Sequence, residues 1–192
     1  MYKEIIPNIL EILTLISSLF LVFLILLFIL KFGFKKKTKL YDTIVHGLQD
    51  NYLVLGFLIS LVATLGSLFY SNVLGYPPCK LCWYQRIFMY PQVFLYLIAM
   101  NSKKNERSII WNSLFLSFIG LFIAGYHYML QLGTLDNNGI ACDFVGMTSN
   151  CSQHFEFYYG YITIPFMAIT AFALLIVLSY GKFRRIYTLK IS

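Results

Sequence analysis

Apolar positions along this chain fall in long unbroken runs, without the alternation of a surface strand or the one-sided stripe of a soluble helix. Five such runs cover approximately residues 5–30, 52–74, 83–100, 109–132 and 161–180. A helix needs roughly 20 predominantly apolar residues to cross a bilayer core of about 30 Å, and each run meets or nearly meets that length. Lipid offers no water to backbone amides, so only helices or closed barrels cross it, and these runs lack a barrel strand's period of two. The pattern predicts an all-α membrane protein with five spans.

Composition supports this reading. Of 192 residues, 59% are hydrophobic and 12% charged, against roughly 25% charged in typical soluble domains. Disorder, a collagen-like chain and an ordinary soluble enzyme are excluded. Charge placement adds orientation, because Lys and Arg in short loops collect on the cytoplasmic face. Lys31, Lys35, Lys36, Lys37 and Lys39 follow the first run; Lys103, Lys104 and Arg107 follow the third; Lys182, Arg184, Arg185 and Lys190 follow the fifth. Twelve of the fifteen basic residues thus share one face. The net charge of +7 describes topology, and no nucleic-acid partner is expected. The first run is too long for a cleavable signal and carries its lysines behind it, so it reads as a retained helix with an outside N-terminus.

All four cysteines then fall on the outer side. Cys79 and Cys82 stand where the second run gives way to the third, and Cys142 and Cys151 lie between the fourth and fifth. This distribution suits an oxidising compartment, where disulfides form and persist. In Gly75-Tyr76-Pro77-Pro78-Cys79-Lys80-Leu81-Cys82-Trp83-Tyr84-Gln85-Arg86 two prolines hold the approach extended. A helix is expected to begin near Cys79 or Lys80. A thiol in the first turn of a helix meets the positive end of the dipole and unpaired N–H donors, which stabilise its thiolate.

Arg86 follows Cys82 by four residues and so shares its helical face, about one turn deeper. Ionisable residues at membrane depth are costly and usually functional. This one suits stabilisation of a Cys82 thiolate or of an anionic, reduced form of a polar-headed lipophilic ligand; the plainer reading is that it snorkels to the interface. Structural zinc sites usually join two close-spaced pairs, whereas the second pair here is Cys142-x8-Cys151. Redox chemistry therefore outweighs zinc, and no metal site is expected. His46 and His154 lack ligand spacing, and Cys142-Asp143 offers too few donors. Pro91 predicts a kink that either widens space near Arg86 or serves packing.

The run Leu65-Gly66-Ser67-Leu68-Phe69-Tyr70, followed by Pro78-Cys79-Lys80-Leu81-Cys82-Trp83-Tyr84-Gln85-Arg86-Ile87-Phe88-Met89-Tyr90-Pro91, closely resembles the DsbB/BdbC family of bacterial thiol–quinone oxidoreductases. So do His127-Tyr128-Met129-Leu130-Gln131 and Gly160-Tyr161-Ile162-Thr163-Ile164-Pro165-Phe166. The resemblance covers residues 52 to about 181, and the Trp-Tyr-Gln-Arg ending is similar to the BdbC-like branch. It implies a catalytic four-transmembrane-helix bundle over 52–181; outside it, hydropathy and charge give an additional N-terminal transmembrane helix over 1–31, a basic cytosolic connector over 32–51 and a basic cytosolic tail over 182–192.

The resemblance further implies a bacterial cytoplasmic-membrane enzyme that reoxidises an extracytoplasmic thioredoxin-fold thiol oxidase (DsbA/BdbD-like) and passes electrons to ubiquinone or menaquinone. Such a system keeps a bacterial periplasm oxidising kinetically, without a redox buffer. Carried onto this chain, Cys142 is attacked by the partner's thiolate, with Cys151 as its bonded mate. Cys79 and Cys82 then reoxidise that pair, with Cys82 and Arg86 facing the quinone. His127 orients or protonates the quinone, or is simply satisfied between helices. The polar stretch from Gly133 to Gly160, with a turn at Asp136-Asn137-Asn138-Gly139, supplies the reach between an aqueous partner and a lipid-soluble acceptor. Two features depart from the pattern: the eight-residue separation of Cys142 and Cys151 is shorter than in the DsbB branch, and the first helix lies outside the bundle. Nothing catalytic is expected in that helix, whose Ser17 and Ser18 suggest packing at most. The rivals are a vitamin K epoxide reductase-like thiol oxidase, whose loop cysteines come first in the chain, and a non-catalytic scaffold with static disulfides.

Overall fold

The computed structural model describes residues 2–33, 39–101, 106–133 and 161–191. The apolar runs become helices: α1 (Tyr2–Gly33), α3 (Tyr52–Leu68, continued by one π-helical turn, Phe69–Val73), α4 (Lys80–Asn101), α5 (Glu106–Gln131) and α6 (Ile164–Ile191). A further short helix, α2 (Lys39–Asp50), precedes α3. Among the described residues, α1, α3 with its π turn, α5 and α6 each contain a stretch long and apolar enough to cross a membrane. Helix α4 matches them in length, with 22 residues. It is more polar because it carries Lys80, Gln85, Arg86 and Gln92.

Packing closes α3, α4, α5 and α6 into a ring, each helix against the next and α6 back against α3, while α1 attaches outside on α6 and α2. The protein is thus an all-α membrane protein, a four-helix bundle with one additional N-terminal helix. The core inside the ring is built by Tyr52, Met89, Tyr96, Ile110, Ala124, Phe172 and Leu175. Large rings on the outside, Phe94, Phe115, Phe118 and Phe122 among them, are exposed and face lipid.

Within lipid there is little hydrophobic drive for helices to associate, so close packing and interhelical hydrogen bonds hold them. Both occur here. Gly120 of α5 lies against the Phe172 ring of α6, and an added Cβ would sit 2.3 Å from ring carbons. Replacing Gly120 by valine is expected to separate α5 from α6 and destabilise the bundle by about 1–3 kcal/mol, read as a lower midpoint of thermal unfolding in detergent. The second device is a buried polar network. Tyr96 Oη lies 2.7 Å from Ser113 Oγ and 3.1 Å from Ser179 Oγ, while Ser113 and Ser117 hydroxyls donate to Gln92 Oε1 at 3.0 and 3.1 Å. It joins α4, α5 and α6 at a worth of about 0.6 kcal/mol per contact.

Helix α2 falls inside the stretch expected as a basic connector. Only Ile44, Val45 and Leu48 form its apolar side within 43–50, too short a pattern to read as an element. Its end is fastened to α6: Gln49 Nε2 donates to the Gly181 carbonyl at 3.0 Å, and Asp50 pairs with Arg185. Lys182 lies 4.8 Å above the Tyr52 ring at the same end of the bundle.

Candidate functional site

The site begins where α3 stops. The π turn spends an extra residue, so that Leu74 N–H donates to the Phe69 carbonyl and Tyr76 N–H to that of Tyr70, both at 3.1 Å. Gly75 between them has φ 75°, a left-handed conformation that glycine adopts without a Cβ clash. The Tyr76 ring thereby stacks on Tyr70 at 6.1 Å. Pro77 and Pro78 then carry the chain, without helix, to Cys79. The Cys79 carbonyl accepts the first helical bond, from Trp83 N–H at 3.2 Å, so α4 starts at Lys80, where the prolines led it to be expected.

Cys79 is 4% exposed and Cys82 half-buried, with their sulfurs 3.3 Å apart. Cys79 caps α4 and Cys82 stands in its first turn, at the positive end of the helix dipole. His127, buried on α5, closes the third side: its Nε2 lies 3.6 Å from Cys79 Sγ, and its Nδ1 lies 3.1 Å from Gln85 Nε2. The Gln85 amide thus engages Nδ1 and leaves Nε2 facing the sulfur. The donor atoms of Cys79, Cys82 and His127 lie within 4.8 Å of one another. Cys79 Sγ is the centre of the group, within hydrogen-bonding distance of both Cys82 Sγ and His127 Nε2.

Arg86, on the wall of the same site, is held by α3. Its Nε donates to Ser67 Oγ at 2.9 Å and its Nη2 to the Ser67 carbonyl at 3.1 Å, and its guanidinium lies 5.2 Å over the Trp83 ring. Among the described residues it bonds to α3 and not to Cys82, and no carboxylate neutralises it. A hydroxyl, a carbonyl and an aromatic face thus fix the guanidinium on the cavity wall.

These groups share one cavity of about 310 Å³, at the lower end of the range for small-molecule sites. Cys79, Cys82, Gln85, Arg86 and His127 make one polar end. Leu58, Val62, Ala63, Met167, Ala171 and Phe172 are among the apolar remainder. Such a lining fits a flat polar-edged head joined to an apolar chain. Pro91 lies inside α4, is exposed and does not line this cavity.

The structure brings together four of the six residues singled out from the sequence: Cys79, Cys82, Arg86 and His127. Cys142 and Cys151 lie outside the described residues. Two participants carried no assigned role in the sequence reading. Gln85 stands three residues after Cys82 and therefore on its face, and Ser67 is a hydroxyl within an otherwise apolar run; in both cases the spacing or polarity was visible but the partner was not.

A dithiol at a helix N-terminus, inside a membrane bundle and open to a lipophilic cavity, defines a membrane thiol–disulfide oxidoreductase. Comparisons with known proteins agree. Residues 49–182 match the family described as "Disulfide bond formation protein DsbB". The chain is 42% identical over 130 residues to a "Probable disulfide formation protein" of Oceanobacillus iheyensis, covering 67% of this chain and 86% of the relative. It is also 42% identical over 125 residues to the "SPbeta prophage-derived disulfide bond formation protein B" of Bacillus subtilis, covering 65% and 80%. With "Disulfide bond formation protein C" of Bacillus subtilis it shares 37% identity over 126 residues, 66% of this chain and 88% of the relative. No solved structure matches. The chain belongs to the DsbB family of disulfide bond formation proteins, a membership that sets aside the vitamin K epoxide reductase-like reading.

Proposed function

We propose that this chain reoxidises an extracytoplasmic thioredoxin-fold thiol oxidase and delivers the electrons to a membrane quinone. The observation that carries the reading is the Cys79, Cys82 and His127 cluster opening, beside Arg86, onto an apolar cavity. In the first exchange the partner's thiolate attacks Cys142 Sγ and Cys151 leaves as thiolate. The partner's second thiol resolves the mixed disulfide, leaving an oxidised partner and a Cys142/Cys151 dithiol. That dithiol reduces the Cys79–Cys82 disulfide by the same chemistry, so that two electrons and two protons have moved inward.

A ubiquinone or menaquinone bound in the cavity supplies a two-electron, two-proton acceptor for the resulting dithiol. Around that site His127 holds a proton at Cys79, and Gln85 orients its ring through Nδ1. Arg86 holds positive charge where a Cys82 thiolate or an anionic head is favoured. Residues 52–181 form the catalytic bundle in this scheme. The cysteine end faces outward, since Lys182, Arg184 and Arg185 cluster at the other end of α6.

Lipid extracts of the purified protein are expected to contain a quinone. A partner lacking its resolving cysteine is expected to accumulate as a mixed disulfide at Cys142, located by mass spectrometry of the linked peptides. Capture at Cys151 would reverse the two roles. Disulfides resistant to mild reduction, with no quinone bound, would favour the static scaffold.

A further inference from the structure

The family match begins at residue 49 and leaves α1 outside it, yet α1 lines the same cavity as the thiols. Leu10, Leu13, Thr14 and Ser17 all face it. Their spacing of three, four and seven residues makes one helical stripe. The opposite face, with Ile12 and Ile16, is exposed, and Ile16 is 57% accessible. Thr14 donates its hydroxyl to its own Leu10 carbonyl at 2.7 Å, so that side chain offers the cavity no hydroxyl proton. Leu10 lies over Gly66, where an added Cβ would be 3.3 Å from Leu10 Cδ1. Gly66 adjoins Ser67, the residue that holds Arg86.

We propose that α1 is the outer wall of the acceptor site: its Leu10–Ser17 stripe closes the cleft between α3 and α6 and holds the acceptor's isoprenoid chain. The inference rests on the quinone reading above and deepens it. A four-helix bundle alone would leave that cleft open to lipid, and the chain of a bound quinone would lie among acyl tails. With α1 resting on α6, the chain instead meets protein on several sides. Leu10 and Leu13 give the stripe apolar surface, the Thr14 hydroxyl is turned to its own backbone and Ser17 is small, and the same cavity carries Cys82 and Arg86, which suits an isoprenoid attached to a redox head rather than a separate polar ligand.

The test uses the full chain in nanodiscs of one defined phospholipid, with Ser17→Trp to fill the wall and Ile16→Trp as the lipid-facing control. Acceptors are two quinones with the same head, one bearing a single isoprene unit and one a long polyisoprenoid chain. Ser17→Trp is expected to raise KM for the long-chain quinone about tenfold, the equivalent of about 1.4 kcal/mol, while KM for the short-chain quinone and the acceptor-free exchange with the partner stay within about twofold. Ile16→Trp is expected to change neither. Equal behaviour of the two variants, or equal loss with both quinones, would overturn the proposal. Since tryptophan could instead disturb folding, the unaltered protein supplies a second measurement: a long-chain quinone with a terminal diazirine is expected to label peptides within 2–33. Labelling confined to α3–α6, or labelling of 2–33 by a diazirine phospholipid with none by the quinone, would equally overturn it. Wild-type protein that reduces neither quinone would defeat the quinone reading itself, and this inference with it.

Discussion

Replacement of Cys82 by serine is expected to stop turnover, lowering the rate of quinone-linked oxidation of the partner by more than about 10³-fold, because removing the atom that forms the covalent bond leaves no alternative route. A serine hydroxyl cannot pair with Cys79 in a disulfide, and it occupies nearly the same volume beside the 3.3 Å sulfur contact. The fold should therefore persist, which circular dichroism and the thermal midpoint would verify. The first exchange offers a sharper distinction. Cys142 and Cys151 remain in the variant, so once that pair has been oxidised by an added chemical oxidant the mixed disulfide with a resolving-deficient partner should still form, while steady-state turnover is absent. Undiminished turnover by Cys82→Ser would remove this pair from the chemistry altogether.

The next largest effect belongs to Arg86→Met. Methionine keeps much of the apolar stem but loses both bonds to Ser67 and the stacking on Trp83. If the guanidinium serves charge that arises only when electrons reach the acceptor, kcat/KM for quinone should fall about 10–100-fold, or about 1.4–2.8 kcal/mol of transition-state stabilisation. Exchange between the partner and Cys142 should stay within about twofold. Arg86→Lys restores charge without the planar fork that spans Ser67 Oγ and the Ser67 carbonyl, so it should recover activity only in part. An Arg86 that merely snorkels would give a methionine variant with the parental quinone dependence.

Much of the architecture could be read directly from the order of residues. The bilayer imposes one length on every crossing helix, so the spans at 52–74 and 109–132 correspond closely to α3 with its π turn and to α5. The start of α4 followed from Pro77 and Pro78, whose constraint is local. Features that depend on a neighbour were hidden. The partners in the bonds from Arg86 to Ser67, in the contact of Gln85 with His127 and in the cavity-lining stripe of α1 cannot be named from spacing along one helix, because each is decided by which helix packs alongside. The π turn was hidden for another reason: its extra residue serves the Tyr70–Tyr76 stack and the Gly75 reversal, and Phe69-Tyr70-Ser71-Asn72-Val73 reads equally well as ordinary helix. The roles of Cys142 and Cys151 rest on the resemblance alone.

The polarity of α4 also bears on how the protein is made. An arginine within a nascent membrane segment is costly on insertion scales, and α4 adds Gln85 and Gln92 to that burden. Its partners are synthesised on either side of it: Ser67 has already emerged, whereas Ser113, Ser117 and His127 come later. A ribosome halted between α4 and α5 would hold a helix with its guanidinium satisfied and its Gln92 amide still seeking Ser113 and Ser117. Such a chain would linger at the translocon and become a target for membrane proteases, and release into the bilayer would await the arrival of α5.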